Sequence, residues 1–425
     1  MLYRTSQSDP KLYQLVEEEY ARQAENIEMI ASESTVPMEI MELSGSIFIN
    51  KTLEGYPGHR FQAGAQIADQ LEELAIERGK ELFGCGHVNI QPYSGSTANY
   101  AVYAAVLEPG DKILSMRLDQ GGHLTHGSEA NFMSKFYDFH HYTIDKDTER
   151  LDYEDIEKQA HDLKPKLIIA GGSAYPRLID FERISQIAKS VGAYFMVDMA
   201  HFSGLVAGKA IPSPVPYADF MTSSTSKTIG GPRAGFILTK EKYANIIDHG
   251  VFPGSIGSMH LNSMAAKAWL FKYCQSRDFQ NLMTDIVKNA QLLGQELENY
   301  GFRLVSGGTD THLLLVDLRD KQITGKQMDD ALNSIGITVN KNQIPFDPEG
   351  PNITSGIRIG LTSTTQRGFR KKEMKKIAHI MNDVASAIDD REKLKELRQE
   401  VLDLIRQFPL YSREDEALIL AKGES

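Results

Sequence analysis

The stretch STSKTIGGPRAG, Ser224 to Gly235, sets Lys227 among small hydroxyl side chains and just ahead of a glycine-rich turn. Such a lysine could clamp a phosphate, sit solvated in a loop, or attack a carbonyl as an amine. A phosphate-binding loop of the GxxxxGK type needs a glycine directly before the lysine, and Ser226 stands there instead. Asp198, in VDMAH, follows the aromatic and aliphatic run YFM. It therefore falls at the carboxyl end of a buried parallel strand, where α/β proteins bind ligands. It is equally placed to cap the helix that MAHFSGL suggests. If buried, it needs a cationic partner. In QPYSGSTAN, Ser94, Gly95 and Ser96 form a small polar turn opening into a helix near Thr97. Free backbone N–H groups and two hydroxyls there suit a phosphate, or else they simply cap the helix.

In chain order, a phosphate cradle, a strand-end aspartate and a later lysine are the parts a pyridoxal-phosphate enzyme needs. The lysine would hold the aldehyde as a Schiff base, the aspartate would keep the ring nitrogen protonated, and the cradle would anchor the phosphate. His123 and His126 are spaced like a metal pair, but no carboxylate or cysteine stands at supporting spacing, so no metal is expected. His140 and His141 read as structural.

Elements must position these groups. The continuous apolar runs KLIIAG, YFMVDMAH and ADFMTSS, with the helical FERISQIAKSVG among them, predict an α/β layer with a mostly parallel sheet. QIADQLEELAIERGKELFG predicts a helix with Leu71, Leu74, Ala75 and Leu82 on one face, stopping at Gly84. After about residue 275, FQNLMTDIVKNAQLLGQELENYG predicts a long amphipathic helix, FRLVSGG and HLLLVDL predict strands, and Lys371 to Ala421 a charged helical tail. The N-terminal helical pattern is too short for a core of its own and must pack on something. At 425 residues and 41% apolar content, two folding units are expected. A net charge of -11 argues against nucleic acid or anionic membrane as partner. The basic cluster RGFRKKEMKK, Arg367 to Lys376, reads as a solvated helix face. Cys85 and Cys274 make no disulfide framework, no secretory signal is read, and a cytoplasmic protein is expected.

On these residues the chain closely resembles the serine hydroxymethyltransferase family, from about ENIEMIASES to FPLY. The likeness rests on EGYPGHR, QPYSGSTAN, GGHLTHGS, VDMAHFSGL, SKTIGGPRAG, VFPGS, SGGTDTHLLLVDL and TSGIRIG. It implies a fold type I pyridoxal-phosphate transferase, with a mostly parallel central sheet, flanking helices and a smaller C-terminal α+β domain. It implies a helical arm at 1–60 contributing to a homodimer, a large cofactor-binding domain at 61–277 and a small domain at 278–425. Carried over by position, Lys227 is the Schiff-base lysine, Asp198 pairs with the ring nitrogen and His123 stacks on the ring. His201 and Ser173 contact its phenolic side or the substrate, while Ser94, Gly95, Ser96, Ser224 and Gly257 hold the cofactor's phosphate end. Arg358, with Ser32, clamps the substrate carboxylate, since a planar guanidinium grips one bidentately. Glu54, lent by the neighbouring subunit, handles protons, with Thr52 and Gln62 beside the substrate. The tetrahydrofolate cosubstrate falls to Glu54, Leu118, Gly122, Leu124 and Asn342.

Departures from the family pattern cluster near the substrate and phosphate. Ser226 replaces a histidine, Phe61 and Gln62 replace adjacent tyrosines, and Thr52 replaces a third. Ile256 to Met259 keeps only Gly257 of a Gln-Gly-Gly-Pro turn, and Ser34 replaces an asparagine. Losing phenols opens volume beside Cα, and one methylene of fit is worth roughly 1–3 kcal/mol. Three readings follow: serine/glycine transfer with tetrahydrofolate, a paralogue using 2-methylserine and alanine or a threonine-type aldolase or transaldolase, and a non-catalytic cofactor-binding regulator.

Overall fold

The computed structural model describes residues 2–420, so Met1 of the expected arm and the end of the tail from Ala421 lie outside the described residues. The apolar runs form the centre of a seven-stranded sheet ordered His87–Asn89, Gly235–Thr239, Phe220–Ser224, Tyr194–Asp198, Leu167–Gly171, Lys112–Met116, Asp138–Tyr142. From Phe220–Ser224 to Asp138–Tyr142 every neighbouring pair is parallel, and Gly235–Thr239 runs antiparallel to both its neighbours. Register sets Gly171 opposite Asp198, and Asp198 opposite Thr222. The strands thus end along one edge, and the loops leaving them converge there. Close packing at that edge demands glycine at 171, where a Cβ would meet the Asp198 carbonyl oxygen at 2.1 Å.

The helix Gln66–Phe83 stops at Gly84, which adopts a left-handed φ of 67°. Its buried face differs from the leucine pattern. Ala68, Glu72, Ala75, Gly79 and Phe83 are buried, while Leu74 is exposed and Leu71 and Leu82 are half-buried. Leu71 and Leu82 still pack against the core, and Glu72 takes a core position beside them because its carboxylate pairs with Arg60 and accepts from Gln91. The helix after the cradle begins at Gly95, two residues before Thr97, with Ser94 as N-cap in a capping box with Thr97.

Beyond it, Arg277–Asn299 is one helix, and Gly301 adopts a φ of 78° just past its end. An antiparallel sheet follows, ordered Arg303–Leu304, Leu313–Asp317, Gly356–Gly360, Asn340–Asn342. The tail forms Lys371–Ser386, Arg391–Ile405 and Arg413–Leu420. The N-terminal helix Pro10–Glu25 packs against this same end of the chain, since Ile27–Glu28 pairs in parallel with Ile337–Thr338. The basic cluster is not uniformly solvated. Arg367 is buried and donates to the carbonyls of Gln23, Ala24, Asn26 and Phe408, and Phe369 and Met374 are core residues. Lys371, Lys372 and Lys375 keep the expected exposure. Among the described residues no helix is long and apolar enough to cross a membrane.

Candidate active site

At the edge where the parallel strands end, a cavity of about 260 Å³ is lined by Ser94, Gly95, Ser96, His123, Asp198, Ser224 and Lys227. Tyr93, Ala200, Ser226, Arg233 and Ala234 complete its walls. Residues from five separate stretches of sequence therefore share one space.

Asp198 holds one wall. Its Oδ1 accepts from the Ala200 backbone N–H at 3.0 Å, and its Oδ2 meets His126 Nε2 at 3.0 Å and Asn99 Nδ2 at 2.9 Å. Burial alone would push its carboxyl up, but His126, His123 and the Asn99 hydrogen bond more than offset that and hold it ionised. Lys227 is moved the other way. Burial brings its amine down to about 8, with Asp198 opposing and Arg358 assisting. A neutral fraction of about a tenth at pH 7, rising to half near pH 8, makes it a competent nucleophile. Burial pushes the His123 imidazole down to about 4, and its Nδ1 accepts from the Thr125 backbone N–H. A neutral ring suits stacking on a pyridine.

The cradle is built by close approach of two strands. Ser94 caps its helix, and Gly235 pairs with Ser224 so tightly to Ser94 that a Cβ would meet the Ser94 carbonyl oxygen at 2.3 Å. Ser224 and Ser226 hydroxyls lie 3.0 Å apart. An amine, an ionised carboxylate, a neutral imidazole and a helix-start cradle in one cavity fit a phosphorylated pyridine aldehyde.

His201 is buried beside this space, stacked on His312 with ring centroids 5.7 Å apart, and its Nδ1 has no partner. Arg358 donates to the Ser173 carbonyl at 2.7 Å and to Asn340 Oδ1 at 2.8 Å, leaving Nε unpartnered. Ser173 thus meets Arg358 through its backbone rather than its hydroxyl. Ser32 is half-buried, next to Ala31, which packs against Gly360 on the Arg358 strand.

A second cluster does not line the cavity but meets its wall at Tyr93, whose hydroxyl donates to the Ser258 carbonyl. Gln62 clamps Glu54 at two points, its Oε1 accepting from the Glu54 backbone N–H at 2.7 Å and its Nε2 donating to Glu54 Oε2 at 3.0 Å. A Cβ on Gly257 would lie 3.4 Å from Glu54 Oε1, and Thr52 is exposed. Leu118 and Leu124 are exposed on the loop that carries His123, and Gly122 is buried between them. Asn342 sits on the strand paired with that of Arg358, its amide donating to the Gln343 carbonyl.

The sequence did not single out Asn99, Arg233 or His312, and it offered His126 only as half of a metal pair. Asn99 carried a signal, a lone amide in the apolar helix STANYAVYAAV, and Arg233 lay in the same glycine-rich turn as Lys227. The fold also supplies the carboxylate that spacing hid from the histidine pair, since His123, His126 and Asp198 offer atoms within 4.8 Å of one another. Hydrogen bonds to Asn99, Ala200 and Thr125 already occupy much of that set. Comparison with known families finds that the serine hydroxymethyltransferase family model matches residues 5–381 of the 425.

Proposed function

The chain belongs to the serine hydroxymethyltransferase family, a pyridoxal-phosphate-dependent enzyme type, and from that premise we propose that it interconverts a serine-type β-hydroxy amino acid and its one-carbon-shorter partner, with tetrahydrofolate as carrier. The observation that carries this reading is the shared cavity: the Lys227 amine, the ionised Asp198 and the Ser94–Ser96 helix start line one space. The cofactor, when bound, supplies an electron sink that weakens the bonds to Cα.

The remaining work falls to the chain's own side chains. Asp198 stays ionised and accepts a ring N–H. Ser94, Gly95, Ser96, Ser224 and Gly257 would hold a phosphate, and Gly257 lies beside Glu54 Oε1. Arg358, with two contacts already made, keeps Nε and further N–H donors for a carboxylate, and Ser32 lies nearby. His201, kept neutral by burial and by the charges of Lys227 and Arg358, stays a hydrogen-bonding group rather than a competing cation. Glu54 takes and returns protons at Oε1 while Gln62 holds Oε2. Leu118, Gly122, Leu124 and Asn342 are assigned to the folate.

Glu54, Gln62, Thr52 and Gly257 do not line the cavity of their own Lys227, and neither do Arg358, His201, Ser173 or Ser32, but only Thr52, Glu54 and Gln62 lie in a segment with exposed Ile47, Ile49 and Phe61. That supports a homodimer in which each site is completed by the other chain. The division at 1–60, 61–277 and 278–425, and a cytoplasmic location, belong to the same reading.

One observation favours a second substrate class. The family's phenol at 62 is an amide here, and that amide is turned onto Glu54 rather than left for substrate. More room beside Cα suits alanine and 2-methylserine, or a threonine-type substrate without folate. Exchange of the α-proton in deuterium oxide, with glycine, alanine, serine and threonine, each with and without tetrahydrofolate, separates the readings. Fast glycine exchange together with folate-dependent serine cleavage supports the main one. Exchange with none of the four would sink it.

A further inference from the structure

Lys267 lies outside everything assigned so far. It sits on the helix Leu261–Tyr273 and is 2% exposed. Its Nζ donates to the carbonyl of Ile90 and, at 3.1 Å, to that of Gly235. Among the described residues no carboxylate lies within ion-pairing distance of it. The acid that acts on it electrostatically is Glu72, and Glu72 is already committed to Arg60 and Gln91. Arg60 also engages Asp69. Burial pushes the Lys267 amine down to about 7, with Glu72 opposing. With Arg60 shared between Glu72 and Asp69, Glu72 offsets Lys267 only from beyond ion-pairing distance, and a buried ammonium is stabilised further by any second negative charge nearby.

The two carbonyls locate that charge. Ile90 leads through Gln91, Pro92 and Tyr93 into the Ser94 cap. Gly235 is paired with Ser224 and accepts no side chain because Ser94 lies against it. Its N–H also donates to the Pro92 carbonyl at 2.9 Å. Both walls of the phosphate cradle therefore rest on one buried amine.

We propose that Lys267 is the buried counter-charge of the phosphate cradle, a positioning residue whose ammonium braces the Ile90 and Gly235 backbone and offsets the phosphate of bound pyridoxal phosphate. This rests on the cofactor reading above. The side chain does not touch the cofactor; it acts through one layer of backbone. At an effective dielectric of about 20, a unit charge acting on a phosphate through one layer of backbone changes affinity by roughly ten-fold or more. The phosphate in turn holds the proton on Lys267, so binding draws a proton from solvent.

The test compares pyridoxal phosphate with pyridoxal, which carries the same aldehyde and ring but no phosphate. Both are titrated into the cofactor-free full-length protein and followed by absorbance. Lys267→Met keeps length and burial and removes the charge. Its affinity for pyridoxal phosphate is expected to fall about ten-fold or more, with pyridoxal unaffected. An equal loss for both ligands, as from a merely structural role, overturns the proposal, and so does no loss for either. Should the variant not fold, the native protein gives the same answer. At pH 8, where the phosphate is dianionic, calorimetry in buffers of different ionisation heat should show more proton uptake with pyridoxal phosphate than with pyridoxal. Equal uptake overturns the proposal. If neither ligand engages the native protein, the cofactor reading itself falls, and this inference with it.

Discussion

At the scale of single residues, Lys227 makes a signed prediction about pH. Its amine is brought down to about 8, so the neutral, nucleophilic fraction grows as pH rises and levels off above that value. The rate at which pyridoxal phosphate is captured, measured by stopped-flow absorbance, should follow that curve rather than one centred near 10.5. Arg358 is one of the charges holding the amine down, so Arg358→Met should move the inflection upward. An unmoved inflection would contradict the electrostatic account. Gln62 makes a second prediction. Gln62→Leu removes both hydrogen bonds to Glu54 and should lower kcat about tenfold or more, since a bond to a charged group is worth roughly 1.5–3 kcal/mol. Gln62→Asn, too short to reach both points, should not restore it, and KM for the amino acid should change less than kcat. Lys227, Asp198 and the Ser94 turn were legible because each carries its chemistry in its immediate neighbours. His126 and Asn99 were not, because what gives them meaning is Asp198, 72 and 99 residues away.

At the scale of elements, strands and helix ends were legible where local rules decide them. Continuous apolar runs became strands covered on both faces, and Gly84 and Gly301 stand just past helix ends. Reading failed where a polar group is buried by a partner distant in sequence. Glu72 takes a core position on the Gln66–Phe83 helix by pairing with Arg60, and Arg367 left the solvated cluster to bind carbonyls of the N-terminal helix end. No spacing rule within one helix can foresee either. Arg367→Met should therefore destabilise the protein by roughly 2–4 kcal/mol by stranding those carbonyls. Lys371→Ala, four residues on and exposed, should change stability by less than about 0.5 kcal/mol. Denaturant midpoints measure both, and equal effects would refute the assignment. Gly235→Ala tests the cradle itself. The added methyl would meet the Ser94 carbonyl at 2.3 Å, so it should weaken pyridoxal phosphate binding more than pyridoxal binding while the sheet still forms.

At the scale of the whole molecule, one apolar face stands uncovered on the single chain. Ile47 is 78% exposed, Ile49 65%, Phe61 75% and Ile67 63%, all within the stretch that carries Thr52, Glu54 and Gln62. Large apolar side chains gathered in one exposed segment mark a surface that another chain covers. The same segment bears the proton-handling group of the proposed reaction, yet contributes nothing to the walls around its own Lys227. Both facts are met if two copies associate about a two-fold axis and each lends its Glu54 to the other. The association and the lending are separable by experiment. Light scattering at micromolar concentration should give a dimer, and Ile49→Glu should shift it toward monomer. For the lending, Lys227→Arg and Glu54→Gln variants are each expected to be inactive alone. Unfolded together and refolded as a mixture, half of the dimers carry one copy of each variant, and one of the two sites in each hybrid has both native groups. Activity should then recover to roughly a quarter of native. If Glu54 instead served its own cavity, every site in the mixture would lack one group, and no activity would return.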